Sequence, residues 1–157
     1  MSASDGMEPN LLAAIAQFNQ GDYYDCHDQL EDLWMTADTV EKPFFQGILQ
    51  IAVGFYHLGN RNWQGASILL GEGVNRLRPF APHYHQVDLD LLIDCGWVWL
   101  QVLQQTGPAA IATMAEALNQ CLSQSHLSQI NHGSCLDLRV NGRQFSLPIP
   151  QVIAVSE

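Results

Sequence analysis

Two sets of polar side chains have the types and spacings needed to bind a ligand or a metal ion. His27 and Glu31 are four residues apart, so they share one face if this stretch is helical. Gln46, Gln50 and His57 fall within about 40° of one another when their segment is placed on a helix. Zinc and other transition metals accept imidazole and carboxylate ligands. His27, Glu31 and His57 are therefore candidate ligands of Zn, Mn or Fe, provided that their helices meet.

The same residues also fit a structural role. Polar side chains between packed helices commonly form a hydrogen-bond network, because an unpaired buried amide costs about 1–3 kcal/mol. In this interpretation the cluster fixes the register of the second and third helices or binds a small ligand of unknown identity. The predicted cluster consists of His27, Glu31, Trp34, Gln46, Gln50, His57 and Asn62.

Acidic residues suggest a third interpretation. All-helical nucleotide pyrophosphatases hold Mg²⁺ with paired acids on two helices. The acids of the second helix, Asp25, Asp28, Glu31 and Asp32, could supply one pair, and Asp90 and Asp94 could form the other. Asp25, Asp28 and Asp32 lie opposite the apolar side of their helix, however, which favours a solvated surface.

His83 and His85 lie in a proline-rich loop, where exposed histidines are usually incidental. No Ser, Cys or Thr lies in a recognisable nucleophile motif.

These residues must be positioned by helices. The segment 44–58 is apolar on almost every side, which predicts a central helix around which the others pack. Its polar residues, Gln46, Gln50 and His57, form a stripe. This stripe should meet His27 and Glu31 of the second helix if the two helices are antiparallel. Glycines in the fourth helix are best explained by close helix approach, since no phosphate-binding loop pattern is present. The six helices are predicted at about 9–20, 22–35, 44–58, 62–77, 88–105 and 108–123, with Asp22, Asn62 and Asp88 as N-caps.

Near the C-terminus the helical spacing of apolar residues gives way to an alternation of apolar and polar residues. Apolar residues alternate on both sides of Asn141-Gly142, which is a strong signal for a β-hairpin at about 136–147. The fold class is therefore all-α, with a small hairpin packed on the bundle. We expect a disordered tail at 1–8, a helical bundle domain at 9–124 and a C-terminal extension at 125–157.

Composition limits the class of protein. The net charge is −10 with only six Lys and Arg, which argues against general nucleic-acid binding. No apolar run is long enough to span a membrane, and the first residues do not resemble a signal peptide. Cys26, Cys95, Cys121 and Cys135 form no CxxC pair, and three of them lie in helical or strand patterns, where buried thiols are expected. We predict a soluble, acidic, cytoplasmic protein.

One combined motif resembles a known family. Phe18-x-x-Gly21-x-Tyr23-Tyr24-Asp25-x-His27-Asp28-x-Leu30-Glu31-x-x-Trp34 is followed by Gln46-Gly47-Ile48-Leu49-Gln50-x-Ala52, His57 and Asn62-x-x-Gly65-Ala66. This arrangement resembles domain-of-unknown-function family 309, small helical proteins of bacteria and archaea, over about residues 11–78. The family's usual His-Glu pair is His27-Asp28 here. The resemblance implies a helical bundle and no established reaction.

The function expected from the sequence is a non-enzymatic binding or interaction module that self-associates, most simply as a homodimer. A patch of exposed aromatics among Trp63, Trp97 and Trp99 would support this role. The alternative is a metal-dependent hydrolase with His27, Glu31 and His57 as ligands.

Overall fold

Six α-helices make up most of the residues, 7–128 and 135–155, that a computed structural model of the chain describes. This confirms the all-α class. Short 3₁₀ turns lie at Arg78–Phe80 and Pro108–Ala110. The helices are α1 (Pro9–Asn19), α2 (Tyr23–Thr36), α3 (Lys42–Gly59), α4 (Trp63–Leu77), α5 (Leu89–Thr106) and α6 (Ile111–Ser128). The strands are β1 (His83–Tyr84), β2 (Val87–Asp88), β3 (Cys135–Val140) and β4 (Arg143–Pro148).

Helix α3 is the centre of the bundle, as its apolar sequence predicts. It contacts α2, α4 and α6, and its buried side chains belong to the main hydrophobic core. Phe55 packs its ring against those of Phe18, Tyr23 and Trp99, which belong to three other helices. Burying aromatic side chains on several sides of one helix explains why its sequence is apolar almost all round.

Helices α3 and α4 approach each other closely because glycines lie at their crossing. A Cβ atom added to Gly73 would lie 2.9 Å from the carbonyl oxygen of Gly47 and 3.0 Å from the backbone nitrogen of Ile51. A Cβ on Gly54 would lie 2.9 Å from Cγ of Leu70. The predicted role of glycine in close helix approach is therefore confirmed at Gly73, whereas a Cβ at Gly71 would meet only Leu100 at an ordinary 3.6 Å.

The three predicted N-cap residues all precede their helices, and two of them make the side-chain hydrogen bond of a cap. The Asn62 side chain accepts a hydrogen bond from the backbone N–H of Gly65, and the Asp88 side chain accepts one from Leu91. Asp22 occupies the N-cap position of α2 as predicted, but its side chain makes no capping hydrogen bond. Gly21, which follows α1, has a φ of +85° and so lies in the left-handed region that commonly ends a helix.

The C-terminal hairpin is confirmed and packs on the bundle as predicted. Strands β3 and β4 are antiparallel, and Asn141 and Gly142 both have positive φ at the turn, as a type I′ hairpin requires. Leu136 and Leu147 enter the core, and the indole N–H of Trp99 donates to the carbonyl of Pro148 at 2.8 Å.

A second hairpin, β1–β2, was not predicted. It lies in the segment expected to be an irregular connector, and its two turn residues, His85 and Gln86, have φ of 48° and 66°. No local signal marks this turn, because His-Gln lacks the Asn or Gly that is usual in a type I′ turn.

The two ends of the described chain are ordered against the bundle. Met7 is buried and the Glu8 side chain accepts a hydrogen bond from Leu11, so these two residues of the expected disordered tail belong to the folded domain. The rest of that tail, 1–6, lies outside the described residues, as do 129–134 and 156–157. Val152 is held by two hydrogen bonds with the Asn19 side chain, at 2.7 and 3.0 Å. None of the described helices has the length and apolar character needed to cross a membrane.

Candidate functional site

The residues of the predicted polar cluster do not form one hydrogen-bonded group. His27 is on α2, where Nε2 lies 3.4 Å from Oε2 of Glu31 and Nδ1 lies 3.5 Å from Oδ1 of Asp28. His57 is at the end of α3, where Nδ1 lies 3.4 Å from Nδ2 of Asn62. Among the described residues no group of three or more His, Cys, Asp and Glu side chains could hold a metal ion, so the structure does not assemble the proposed ligands.

Gln50 faces α4, which corrects the prediction that it meets His27 and Glu31. Its amide nitrogen donates to Oε2 of Glu72 at 3.0 Å, and its carbonyl accepts from Nε of Arg76 at 3.0 Å. Gln50 is only 7% exposed. Gln50 was therefore assigned to the correct helix but to the wrong neighbour. Because glycines allow α4 to approach α3 closely, α4 covers Gln50 and supplies its polar partners.

The Gln50 network makes a prediction about stability. Arg76→Ala should destabilise the fold by about 1–2 kcal/mol, because it leaves the buried Gln50 carbonyl without a donor. Gln50→Leu should stay within about 1 kcal/mol of wild type, since it removes the buried amide and leaves its partners at the more accessible α4 surface. Urea unfolding of both variants and the double variant gives the coupling free energy. Equal losses in the two single variants would contradict this account.

His27 and Glu31 belong to a surface row of rings and carboxylates, which we name the α2–α3 face: Tyr24, His27, Asp28, Glu31 and Tyr56. The Tyr24 ring stacks on His27 with centroids 6.1 Å apart and contacts the Tyr56 ring at 5.3 Å. Tyr24 is 62% exposed and Tyr56 is 37% exposed. Two large rings of adjacent helices thus contact each other at the surface, with two acidic side chains beside them.

Trp34 and Lys42 extend this surface toward the start of α3. The Lys42 ammonium lies 4.3 Å from the centroid of the Trp34 ring and donates to the backbone carbonyl of Trp34 at 2.8 Å. A cation above an indole ring is attracted by the ring's quadrupole. The contact satisfies a carbonyl at the C-terminal end of α2 and fixes the helix relative to α3.

Sequence reasoning missed the two tyrosines of the α2–α3 face. Tyr56 lies in the segment predicted to be apolar almost all round, but it is partly exposed and its ring contacts Tyr24 of α2. Tyr24 falls beside Glu31 on the helical wheel of α2, on the polar side, and that position was the available signal. The suggested tryptophan patch does not form, because Trp99 is fully buried and Trp63 donates its indole N–H to the carbonyl of Leu103.

A second polar group involves a histidine that the sequence analysis considered incidental. Nε2 of His85 lies 2.9 Å from Oε1 of Glu41, and the Tyr84 hydroxyl donates to the same oxygen at 3.3 Å. Burial, followed by the nearby Glu41 carboxylate, raises the pKa of Tyr84. The His85 ring also stacks on Phe45 with centroids 5.8 Å apart. This group ties the β1–β2 turn to the N-terminal end of α3.

The buried Cys26 thiol has little nucleophilic character. Cys26, Cys95 and Cys121 are buried, as predicted. Burial raises the pKa of the Cys26 thiol to about 12. Burial also raises the pKa of the neighbouring Tyr23 hydroxyl, with smaller effects from the three cysteines. Since the thiolate is the nucleophile, Cys26 is held in its unreactive form at neutral pH.

The geometry defines an all-α bundle whose most distinctive surface combines exposed tyrosines with carboxylates on its second and third helices. Residues 11–69 match the family model described as Domain of unknown function (DUF309), which confirms the resemblance carried by the sequence motif. The matched residues include all of the α2–α3 face and the predicted cluster.

A curated relative and the solved structures complete the comparison. The chain is 34% identical over 71 residues to the uncharacterized protein YpuF of Bacillus subtilis (strain 168), an alignment that covers 45% of this chain. The chain spans 40% of the length of that relative. No solved structure matches the chain.

Proposed function

We propose that this chain is a non-enzymatic interaction module whose α2–α3 face binds a basic, amphipathic helical segment of a partner protein. The observation that carries the proposal is the pair of exposed rings, Tyr24 and Tyr56, in contact with each other beside the carboxylates of Asp28 and Glu31. Exposed aromatic side chains are the residues that most often supply binding energy at protein interfaces.

Lysine and arginine are the partner side chains that fit this chemistry. Their ammonium or guanidinium groups can lie over a tyrosine ring while pairing with a neighbouring carboxylate. Their aliphatic stems can at the same time cover the apolar parts of the rings. The Lys42–Trp34 contact is an example of the same recognition within this chain.

The charge of the chain supports a basic partner. The net charge is −10, and α2 carries five acidic residues on its exposed surface or at its start: Asp22, Asp25, Asp28, Glu31 and Asp32. Such a field steers basic partners to the surface and raises their association rate. Helix α2 has 14 residues and is about 21 Å long. A partner helix of about 14 residues would lie along it.

The negative charge of α2 also argues against self-association through the α2–α3 face. A homodimer formed through two copies of the α2–α3 face would bring two acidic helices together, which is unfavourable. The homodimer predicted from the sequence would therefore use another surface, and we propose that it does not involve α2. Sedimentation of the wild-type chain and of a Tyr24→Ala variant tests this point, and equal dimer fractions are expected.

The experiment is a titration of the full chain into a fluorescent peptide of about 14 residues, with lysines on one helical face and leucines on the other. The double variant Asp28→Asn, Glu31→Gln should bind the peptide roughly tenfold more weakly and with a smaller salt dependence. The control is Asp90→Asn, Glu116→Gln, which removes two exposed charges from α5 and α6 and should leave the affinity within about twofold.

The peptide's own charge provides the second comparison. A matched peptide with glutamate in place of lysine should not bind, because its carboxylates would face those of α2. Equal affinity for both peptides, or equal losses in the two double variants, would contradict the proposal. Equal affinity for the two peptides would mean that only their apolar face is recognised. Equal losses in the two double variants would mean that only the overall charge of the chain is recognised.

A further inference from the structure

A cavity of about 240 Å³ lies between α5 and the C-terminal extension, away from the α2–α3 face. Its walls are largely apolar, and they come from parts of the chain that are some fifty residues apart. Three polar side chains line it: Asp94 and Ser146 are exposed, and Gln151 is half-buried. The apolar walls are formed by Leu91, Val98, Pro148 and Ile149.

The walls of the cavity are held in place by backbone and side-chain hydrogen bonds. The Trp99 indole donates to the Pro148 carbonyl at 2.8 Å, which ties β4 to α5. Asp88 donates its backbone N–H to the Ile153 carbonyl at 2.8 Å, which ties the following segment to the start of α5. Pockets for small molecules are usually formed before the ligand arrives, and this one satisfies that condition.

The mouth of the cavity carries negative charge. Asp94 lines the mouth, and the Ser146 hydroxyl donates to Oδ1 of Asp137 at 3.0 Å, which brings a second carboxylate to the Ser146 side of the cavity. Arg139, the nearest cation along β3, pairs in register with Gln144, two residue pairs closer to the hairpin turn. An apolar interior below two carboxylates favours a ligand with an apolar body and a cationic group at one end.

We propose that this cavity binds a small primary amine with an aryl or branched aliphatic body, with the ammonium group at Asp94 and the apolar body between α5 and Ile149. The volume is equivalent to roughly eight water molecules in liquid water. It is smaller than typical drug-sized pockets of about 300–1,000 Å³. The ligand is therefore small, and the site is independent of the α2–α3 face.

The probe is phenethylamine, and its control is phenethyl alcohol, which has the same number of non-hydrogen atoms and no charge. Titration calorimetry of the full chain should give about tenfold tighter binding of the amine, from one charge-assisted hydrogen bond. Asp94→Asn should reduce the amine to the affinity of the alcohol. Asp90→Asn, an exposed acid on the same helix that does not line the cavity, should leave the tenfold preference intact.

The Cys95 thiol, which lines the cavity, reports where the probe binds in the wild-type chain. Bound phenethylamine should slow the reaction of Cys95 with methyl methanethiosulfonate by at least about threefold, measured by peptide mass spectrometry. Cys26 and Cys121, which are fully buried elsewhere, serve as internal references. Failure of the amine to bind, equal affinity for amine and alcohol, or unchanged labelling of Cys95 at saturation would each overturn the proposal.

Discussion

Gly73→Ala should lower the free energy of unfolding by about 3 kcal/mol, at the upper end of the usual cost of overpacking a well-packed site. The added methyl group would lie 2.6 Å from Cγ1 of Ile51 and 2.9 Å from the backbone oxygen of Gly47. A side-chain rotation cannot relieve the backbone contact, so α3 and α4 must move apart. The melting temperature should fall by roughly 6–12 °C for a chain of this size.

Gly71→Ala provides the matched control. It lies two residues away on the same helix, and its added Cβ would meet Leu100 at only 3.6 Å. Replacing a helical glycine by alanine without a clash should stabilise the chain by about 0.5–1 kcal/mol. Opposite signs for the two variants in thermal and urea unfolding are expected. A neutral Gly73→Ala variant would show that the two helices do not depend on this contact.

The double variant Tyr24→Ala, Tyr56→Ala should bind the basic peptide at least about 30-fold more weakly than wild type. Truncating an aromatic residue at the centre of an interface commonly costs about 2 kcal/mol or more, and each 1.4 kcal/mol is a factor of ten in affinity. Both rings are exposed in the free chain, so the free energy of unfolding should change by less than about 1 kcal/mol. Anisotropy titration and urea unfolding give the two quantities.

Trp97→Ala is the control for this second prediction. Trp97 is 44% exposed on α5, and the Arg78 guanidinium already lies over its ring at 5.6 Å. A basic peptide would meet a like charge there, so loss of Trp97 should leave its affinity unchanged. A larger loss of binding in Trp97→Ala than in the tyrosine variant would place the binding surface on α5.

The sequence predicted the helices because their signals are local. The apolar character of α3, the caps at Asn62 and Asp88 and the Asn141-Gly142 turn each depend on residues a few positions apart. The β1–β2 hairpin was missed because its turn residues, His85 and Gln86, adopt positive φ without glycine or asparagine. Packing of the His85 ring on Phe45 and its pairing with Glu41 support that conformation, and these contacts are distant in sequence.

The polar cluster was predicted less well because its partners are set by tertiary packing. The stripe of α3 could face either α2 or α4, and both have polar residues at suitable positions. The close contact permitted by Gly73 brings α4 to the flank of Gln50, where Glu72 and Arg76 satisfy its amide. His27 and Glu31 were correctly placed together, since their pairing needs only the periodicity of one helix.

The most direct test of the proposed function is the map of chemical-shift changes in the ¹⁵N-labelled chain when the basic peptide is added. We expect the largest changes in the backbone amides of α2 and the second half of α3, centred on Tyr24, His27, Glu31 and Tyr56. The glutamate peptide should cause no such changes. Changes centred on α5, α6 or the C-terminal hairpin would contradict the account, because the α2–α3 face would then not be the surface that binds the peptide.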